Sequence, residues 1–207
     1  MLKSLTDLLT LNALQAQHLN ANGMNFTIRS YDCPGLGHVS TMEGKGLPGM
    51  MKMDTLIINP TEVDLPLYSY DRITFTGTHI LIVELVDTTI NPFSSVELDA
   101  VVEQFSSVPN QTPAEHWYDS LRLPQSISKK GKKSILDELE LVHFKAYLDT
   151  PRQTVDDKQA KHEKTAAYVN GLLEKGGPST DVFKKAIGPE KTAQLFREVL
   201  FGTKTPE

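Results

Sequence analysis

The sequence predicts an α+β protein built as a three-layer α/β/α sandwich, with a central antiparallel sheet of about six strands. Two observations predict this fold class. Short apolar or alternating segments follow one another between residues 24 and 87, and their short connections favour antiparallel neighbours. Beyond residue 96, apolar residues recur at helical spacing. A chain of 207 residues can bury a sizeable core, so we expect one domain over residues 1–207.

The predicted elements follow in chain order. A first helix is expected at residues 4–18, where Leu5, Leu8 and Leu9 lie near helical spacing. Strands are then expected at residues 24–31, 38–43, 51–58, 69–76 and 78–86. Helices are expected at residues 96–105, 113–121, 134–149, 156–175 and 180–201, the last with Ser179 as its N-cap.

The central strands predict where the helices pack. Ile80 and Ile82 face one way, while Leu81, Val83 and Leu85 face the other, because strand residues alternate between faces. A sheet that is apolar on both faces needs a covering layer on each. The helices before and after the strands would supply these layers.

Composition and charge exclude several classes of protein. The net charge of −5 argues against nucleic acid as a partner, and no apolar run approaches the roughly 20 residues of a membrane span. Cys33 is the only cysteine, so an intrachain disulfide is excluded. The six histidines form no pair at metal-binding spacing. We expect a monomeric cytoplasmic protein that binds no metal or redox cofactor of its own.

Acidic residues on apolar strand faces are the first candidates for chemistry. Asp71 shares a face with Ile73 and Phe75. Burial of a carboxyl group raises its pKa, which makes it a potential proton donor near neutral pH. Asp54 and Glu84 also lie on apolar faces. The alternative is that each acid is structural and pairs with a neighbour such as Arg72 or Lys52.

A basic segment, SKKGKK, contains Lys129, Lys130, Lys132 and Lys133. It is either a solvated loop or a docking patch for an acidic partner or for acidic ligand groups.

Two stretches resemble a known family. Residues 56–89, LIINPTEVDLPLYSYDRITFTGTHILIVELVDTT, resemble the core of the ferredoxin-dependent bilin reductases, which include phycocyanobilin:ferredoxin oxidoreductase. Shared features are a strand that ends in Pro, a Leu-Pro-Leu-aromatic stretch and an Asp that opens the next strand. Residues 182–202, VFKKAIGPEKTAQLFREVLFG, resemble the closing helix of that family, and Trp117 after Pro113 is a weaker similarity.

The resemblance implies a six-stranded antiparallel sheet between helical layers. It also implies reduction of biliverdin or a related linear tetrapyrrole by electrons from ferredoxin, without flavin or metal. The proton-donating Asp of the family falls on Asp71, and a glutamate near the bilin falls on Glu43.

This sequence departs from the family pattern at three places. A position that is His or Asn in other members falls on Thr55, with Asp54 adjacent, and we expect both residues to contact the substrate. A second Asp used by some members falls at residues 176–177, which are glycines. No Arg precedes Trp117 where one member type binds a propionate, so Arg122, Lys129 or Lys130 would bind it here.

Three functions stay open at this point. The first is ferredoxin-dependent reduction of a linear tetrapyrrole, with protonation by Asp71 assisted by Glu43. The second is a non-catalytic carrier or sensor that binds a tetrapyrrole on the same fold. The third is an unrelated α+β domain with an interaction role.

Overall fold

The structure, a computed structural model, describes residues 2–46, 50–112 and 115–204. Over these residues, seven strands form one antiparallel sheet in which each strand pairs with its neighbours in sequence, in the order β1 to β7. The strands are β1 Asn12–Ala21, β2 Met24–Cys33, β3 Gly37–Gly46, β4 Met51–Pro60, β5 Leu67–Phe75, β6 Thr78–Val86 and β7 Ile127–Lys130. The helices are α1 Leu2–Thr6, α2 Val96–Gln104, α3 Lys133–Asp149, α4 Lys158–Lys175, α5 Pro178–Ile187 and α6 Pro189–Gln194. A short 3-10 helix spans Asp119–Leu121 and a π-helix spans Leu195–Leu200.

The predicted α+β class and the antiparallel sheet are confirmed. The five predicted strands coincide with β2 to β6, and the end points of β6 agree at both residues. The predicted helices at residues 96–105, 134–149 and 156–175 correspond to α2, α3 and α4. In the described residues, no helix is long and apolar enough to cross a membrane.

The predicted first helix is wrong over most of its length. Helix α1 ends at Thr6, and residues 12–21 form the edge strand β1. The cause is the Asn22-Gly23 pair, whose φ angles of 49° and 73° build a two-residue hairpin turn. This turn folds residues 12–21 back onto β2, and pairing with β2 overrides the local helical spacing.

Three further predictions need correction. Residues 127–130, expected within a loop, form strand β7 on the edge of β6. Of the predicted helix at 113–121, residues 113 and 114 lie outside the described residues, and only the short 3-10 helix forms in the remainder. The closing helix is interrupted at Gly188, whose φ of 84° is left-handed, and Gly177 rather than Ser179 is the N-cap of α5.

Two separate clusters of buried side chains lie on the two faces of the sheet. Leu56, Tyr70 and Val83 belong to the first cluster, together with residues of α2 and α3. Ile57 and Leu67 belong to the second, together with residues of α4, α5 and the π-helix. Alternate residues of one strand thus enter different cores, as expected for strands that are apolar on both faces.

Three side chains of the sheet bind the backbone of the C-terminal segment. The His38 imidazole donates to the carbonyl of Val199 at 2.8 Å, and the Ser40 hydroxyl donates to that of Leu200 at 2.8 Å. The Asn59 amide donates to the carbonyl of Phe201, also at 2.8 Å. These bonds satisfy carbonyls that the end of a helix leaves without an intrahelical partner. We call residues His38, Ser40 and Asn59 the C-terminal clamp.

Trp117 is packed onto helix α4 at a glycine. A Cβ atom added to Gly171 would stand 2.1 Å from the nearest Trp117 ring atom, so only glycine fits beneath the ring. The indole N–H of Trp117 donates to the carbonyl of Gly176 at 3.0 Å. Trp117 therefore joins the segment before the 3-10 helix to the end of α4.

We expect Gly171→Ala to displace the indole ring of Trp117. The added methyl group has no space, so the free energy of unfolding should fall by about 1–3 kcal/mol, as for overpacked sites. Trp117 is the only tryptophan, so its fluorescence emission should also move to longer wavelength as the ring becomes more exposed.

Gly131→Ala is the matched control, because its added Cβ would make only ordinary contacts at 3.5 Å or more. Equal emission spectra and equal stability for the two variants would contradict the described packing of Trp117.

Candidate functional site

A cavity lies between one face of the sheet and the C-terminal helices. Its enclosed volume is about 80 Å³, and the space is about 550 Å³ when the open mouth is included. The walls combine apolar side chains with hydroxyl and carboxyl groups. They are formed by Met42, Thr55, Ile57, Ser69, Asp71, Glu84, Tyr118, Tyr168, Leu172, Gly177, Ser179, Thr180, Phe196, Leu200 and Phe201.

Asp71 and Thr55 form a pair on the floor of this cavity. They lie opposite each other on β5 and β4, so their side chains share a face of the sheet. The Thr55 hydroxyl donates to a carboxyl oxygen of Asp71 at 2.5 Å. Burial raises the pKa of Asp71 above its ordinary value, and the bond from Thr55 opposes that rise. Asp71 can therefore hold a proton at higher pH than an exposed aspartate.

Glu84 is the second carboxylic acid of the cavity. It lies on β6, directly opposite Ser69 of β5. The segment after the 3-10 helix runs beside the end of β6, where Leu123 N–H donates to the carbonyl of Leu85 at 2.8 Å. This places Arg122 next to Glu84, with 3.2 Å between guanidinium and carboxylate. Burial raises the pKa of Glu84 to about 7, although the guanidinium of Arg122 opposes the rise.

Aromatic side chains enclose the acids. Tyr118 and Tyr168 meet edge to face, with their ring centroids 5.6 Å apart. The ring centroids of Tyr168 and Phe201 are 6.1 Å apart. Burial raises the pKa of both tyrosines, so their hydroxyls stay neutral and can donate hydrogen bonds at physiological pH. The cavity thus offers flat apolar walls to a conjugated ring system, with proton-carrying groups below it.

Glu43 and Asp54 do not lie in this cavity. They are opposite each other on β3 and β4, and Asp54 precedes Thr55, so both face the other side of the sheet. Glu43 pairs with Arg29 at 3.0 Å, and Asp54 pairs with Lys52 at 2.7 Å. The structural alternative considered for Asp54, a pair with Lys52, is thereby confirmed. The residue of β3 that does enter the cavity is the neighbour of Glu43, Met42.

The predicted basic residues are also separated. Lys129 is buried on the face opposite Asp71, where its ammonium group donates to the carbonyl of Val108 at 3.0 Å. Lys130 is exposed at the β7 edge of the sheet, opposite Ile80. Only Arg122 adjoins the cavity, through its contact with Glu84.

Asp71 and Thr55, both named as site residues from the sequence, line the same cavity, and so does Glu84, which the sequence marked as unusual without assigning it to the site. It missed Tyr118, Tyr168 and the phenylalanines of the C-terminal segment. A buried aromatic residue in a core looks the same in sequence as one that lines a ligand cavity. In the described part of the chain, no cluster of three or more His, Cys, Asp and Glu side chains could hold a metal ion.

The fold is that of the ferredoxin-dependent bilin reductases. The solved structure of phytochromobilin synthase from tomato, a member of this class, in complex with biliverdin matches with a TM-score of 0.67. The match covers 98% of this chain and 80% of that chain, at 16% sequence identity. The resemblance seen in the sequence is thus confirmed at the level of the fold. No family model and no curated protein sequence matches this chain.

We expect Thr55→Val to raise the pKa of Asp71 further. Valine keeps the size of the side chain but removes the hydroxyl group that stabilises the ionised carboxylate. Carbon-13 NMR titration of the aspartate carboxyl groups measures this change.

Thr41→Val is the control, because Thr41 is buried on β3 but lies on the opposite face. An unchanged or lowered pKa of Asp71 in Thr55→Val would contradict the hydrogen bond between the two residues.

Proposed function

We propose that the protein binds biliverdin or a related linear tetrapyrrole in this cavity and reduces it with electrons from ferredoxin, while Asp71 protonates the ligand. One observation carries the proposal: Asp71 stands in a largely apolar cavity with a raised pKa, in a fold whose solved relative is complexed with biliverdin. A buried carboxyl group with a raised pKa is suited to general acid catalysis.

In this proposal the ligand accepts the electrons and the protein supplies the proton. A linear tetrapyrrole is conjugated, so it can itself hold an added electron as a delocalised radical. Protonation of that radical makes the electron transfer favourable, and Asp71 is placed to supply the proton. The aromatic walls exclude water from the reacting ligand, which strengthens electrostatic interactions at the site.

Arg122 keeps its predicted role as a propionate-binding residue in this proposal. A guanidinium group has five N–H donors, and its contacts with Glu84 and Asp119 use two of them. The others can bind a propionate at the rim of the cavity. Lys129 is committed to the opposite face, so we assign it no contact with the ligand.

The proposal uses the predicted three-layer sandwich. In it, α2 and α3 cover one face of the sheet, and α4 to α6 cover the other. The reaction would take place in the second of these two spaces. We place the enzyme in the cytoplasm.

A non-catalytic tetrapyrrole carrier or sensor is the second candidate function. The observation that favours it is the reduced set of proton donors: Thr55 replaces the His or Asn of related proteins, and glycines 176 and 177 replace a second Asp. A carrier would form a stable coloured complex with biliverdin, and reduced ferredoxin would leave the spectrum of that complex unchanged.

The docking surface that we propose for ferredoxin is the exposed part of the SKKGKK segment. Lys129 is buried, and Lys133 forms an ion pair with Asp137. In the described structure, Lys130 and Lys132 are the exposed lysines of the segment that form no such bond. Opposite charges on two partners raise the rate of productive encounter and its dependence on salt.

We expect Asp71→Asn to bind biliverdin but to lose reduction by at least about 100-fold, since asparagine cannot release a proton and general acid catalysis typically contributes 10²–10⁴-fold. Absorption spectroscopy of the bound bilin, before and after addition of reduced ferredoxin, measures both steps.

Asp156→Asn, the same change at an exposed position between α3 and α4, serves as the control. Turnover of Asp71→Asn at the wild-type rate would refute the assigned donor. Glu43→Gln tests the role inferred from the family resemblance, and the geometry predicts that it leaves turnover unchanged.

Replacement of Lys130 and Lys132 by Glu should raise the KM for ferredoxin several-fold and weaken its dependence on ionic strength. The dissociation constant for biliverdin should not change, because neither lysine lines the cavity. Lys158→Glu, on the exposed start of α4, is the charge-matched control. An unchanged KM in the double variant would place the docking surface elsewhere.

A further inference from the structure

The proposed reaction does not yet use Glu84, the second carboxylic acid of the cavity. The reduction of one carbon–carbon double bond consumes two electrons and two protons. Asp71 carries one proton. The second proton needs its own source within the same water-poor cavity.

The register of the sheet places Glu84 near Asp71. Asp71 lies opposite Ile82, and Glu84 stands two residues further along β6 on the same face. Such diagonal neighbours have Cα atoms about 7–8 Å apart, within reach of longer side chains. The two carboxyl groups can therefore contact one bound ligand at neighbouring atoms.

Glu84 also lies beside charged groups at the rim of the cavity. Arg122 contacts Glu84 at 3.2 Å and pairs with Asp119 at 2.7 Å. The exposed fraction of the side chain rises along this series, from 15% for Glu84 through 20% for Arg122 to 36% for Asp119. Because the Glu84 side chain is itself partly exposed, water at the rim can return a proton to it directly, while the guanidinium of Arg122 keeps its own protons.

We propose that Glu84 is the second proton-donating residue of this cavity and that Arg122 is the positioning residue that holds it beside the ligand. This inference rests on the proposed bilin reduction.

The proposed step is balanced. One π bond of the tetrapyrrole breaks and two bonds to hydrogen form. Two molecules of a one-electron iron–sulfur donor supply the electrons and are oxidised. Asp71 and Glu84 each supply one proton, and both carboxylates then recover a proton from water.

The groups around Glu84 tune it for this task. Burial raises its pKa most, the guanidinium of Arg122 lowers it, and the carboxylate of Asp71 raises it. Because Asp71 raises it, Glu84 retains its proton more firmly once Asp71 has given up its own. The titratable and charged groups that face Glu84 from the packed elements are Asp71, Tyr118, Asp119, Arg122 and Tyr168.

The test is single-turnover reduction of bound biliverdin by reduced ferredoxin between pH 5.5 and 9, followed by absorption. The first phase is the step in which Asp71 supplies its proton, and the second phase is the step in which Glu84 supplies its proton. In the wild type, the second phase should slow as pH rises through about 7, because Glu84 then loses the proton that it must donate. Glu84→Gln should bind biliverdin and keep the first phase, but slow the second by at least about 100-fold and lose this pH dependence. Glu84→Asp, which keeps a carboxyl group, should recover part of the second phase.

Arg122→Gln tests the positioning role. It keeps hydrogen-bond donors but removes the charge that lowers the pKa of Glu84, so the pH dependence of the second phase should move to higher pH. Glu138→Gln, on the exposed side of α3, should behave as the wild type. An unmoved pH dependence in Arg122→Gln would overturn the role of Arg122.

Suppose that the wild type reduces biliverdin and that Glu84→Gln shows both phases at wild-type rates with the same pH profile. This result would overturn the inference and leave the proposed function intact. A wild type that binds but does not reduce biliverdin would overturn the proposed function itself. A measurement on the ligand-free protein separates the two cases further. Carbon-13 NMR should show that Asp71→Asn lowers the pKa of Glu84, and an unchanged value would refute the coupling between the two acids.

Discussion

The structure depends on one constraint: in the middle of β4, β5 and β6, successive side chains enter two different buried spaces, one on each face of the sheet. Tyr68 and Tyr70 enter one core, so Ser69 and Asp71 must point into the opposite space. A shift of one residue in the register of β5 would exchange these sets, burying Asp71 among the side chains of α3. The hydrophobic pattern that fixes the sheet therefore also fixes the position of the acid.

The cavity is completed by chain segments that lie far from the sheet in sequence. Trp117 attaches one segment to α4, which brings Tyr118 and Arg122 to the end of β6. The C-terminal clamp holds the other, which brings Leu200 and Phe201 over Met42. Strands supply the acids at fixed spacing, whereas loops and helix ends supply the aromatic walls.

Alternation was sufficient to predict the central strands and the shared face of Asp71, because a strand buried on both sides has a strong pattern. It was not sufficient for β1, since this edge strand is largely exposed and its spacing also fits a helix. Glu43 was misplaced for a related reason: a similarity between sequences cannot distinguish adjacent residues of a strand, although they face opposite sides. The pairing of Glu84 with Arg122 joins residues 38 positions apart and has no local signal.

The C-terminal clamp has a consequence for how the protein assembles. It joins Ser40 to Leu200 across 160 positions of the chain, and contacts between such distant residues are slow to form. The cavity has no complete wall until this contact exists, so a molecule that fills it recognises only the finished fold. Occupancy would accordingly stabilise the whole chain by mass action.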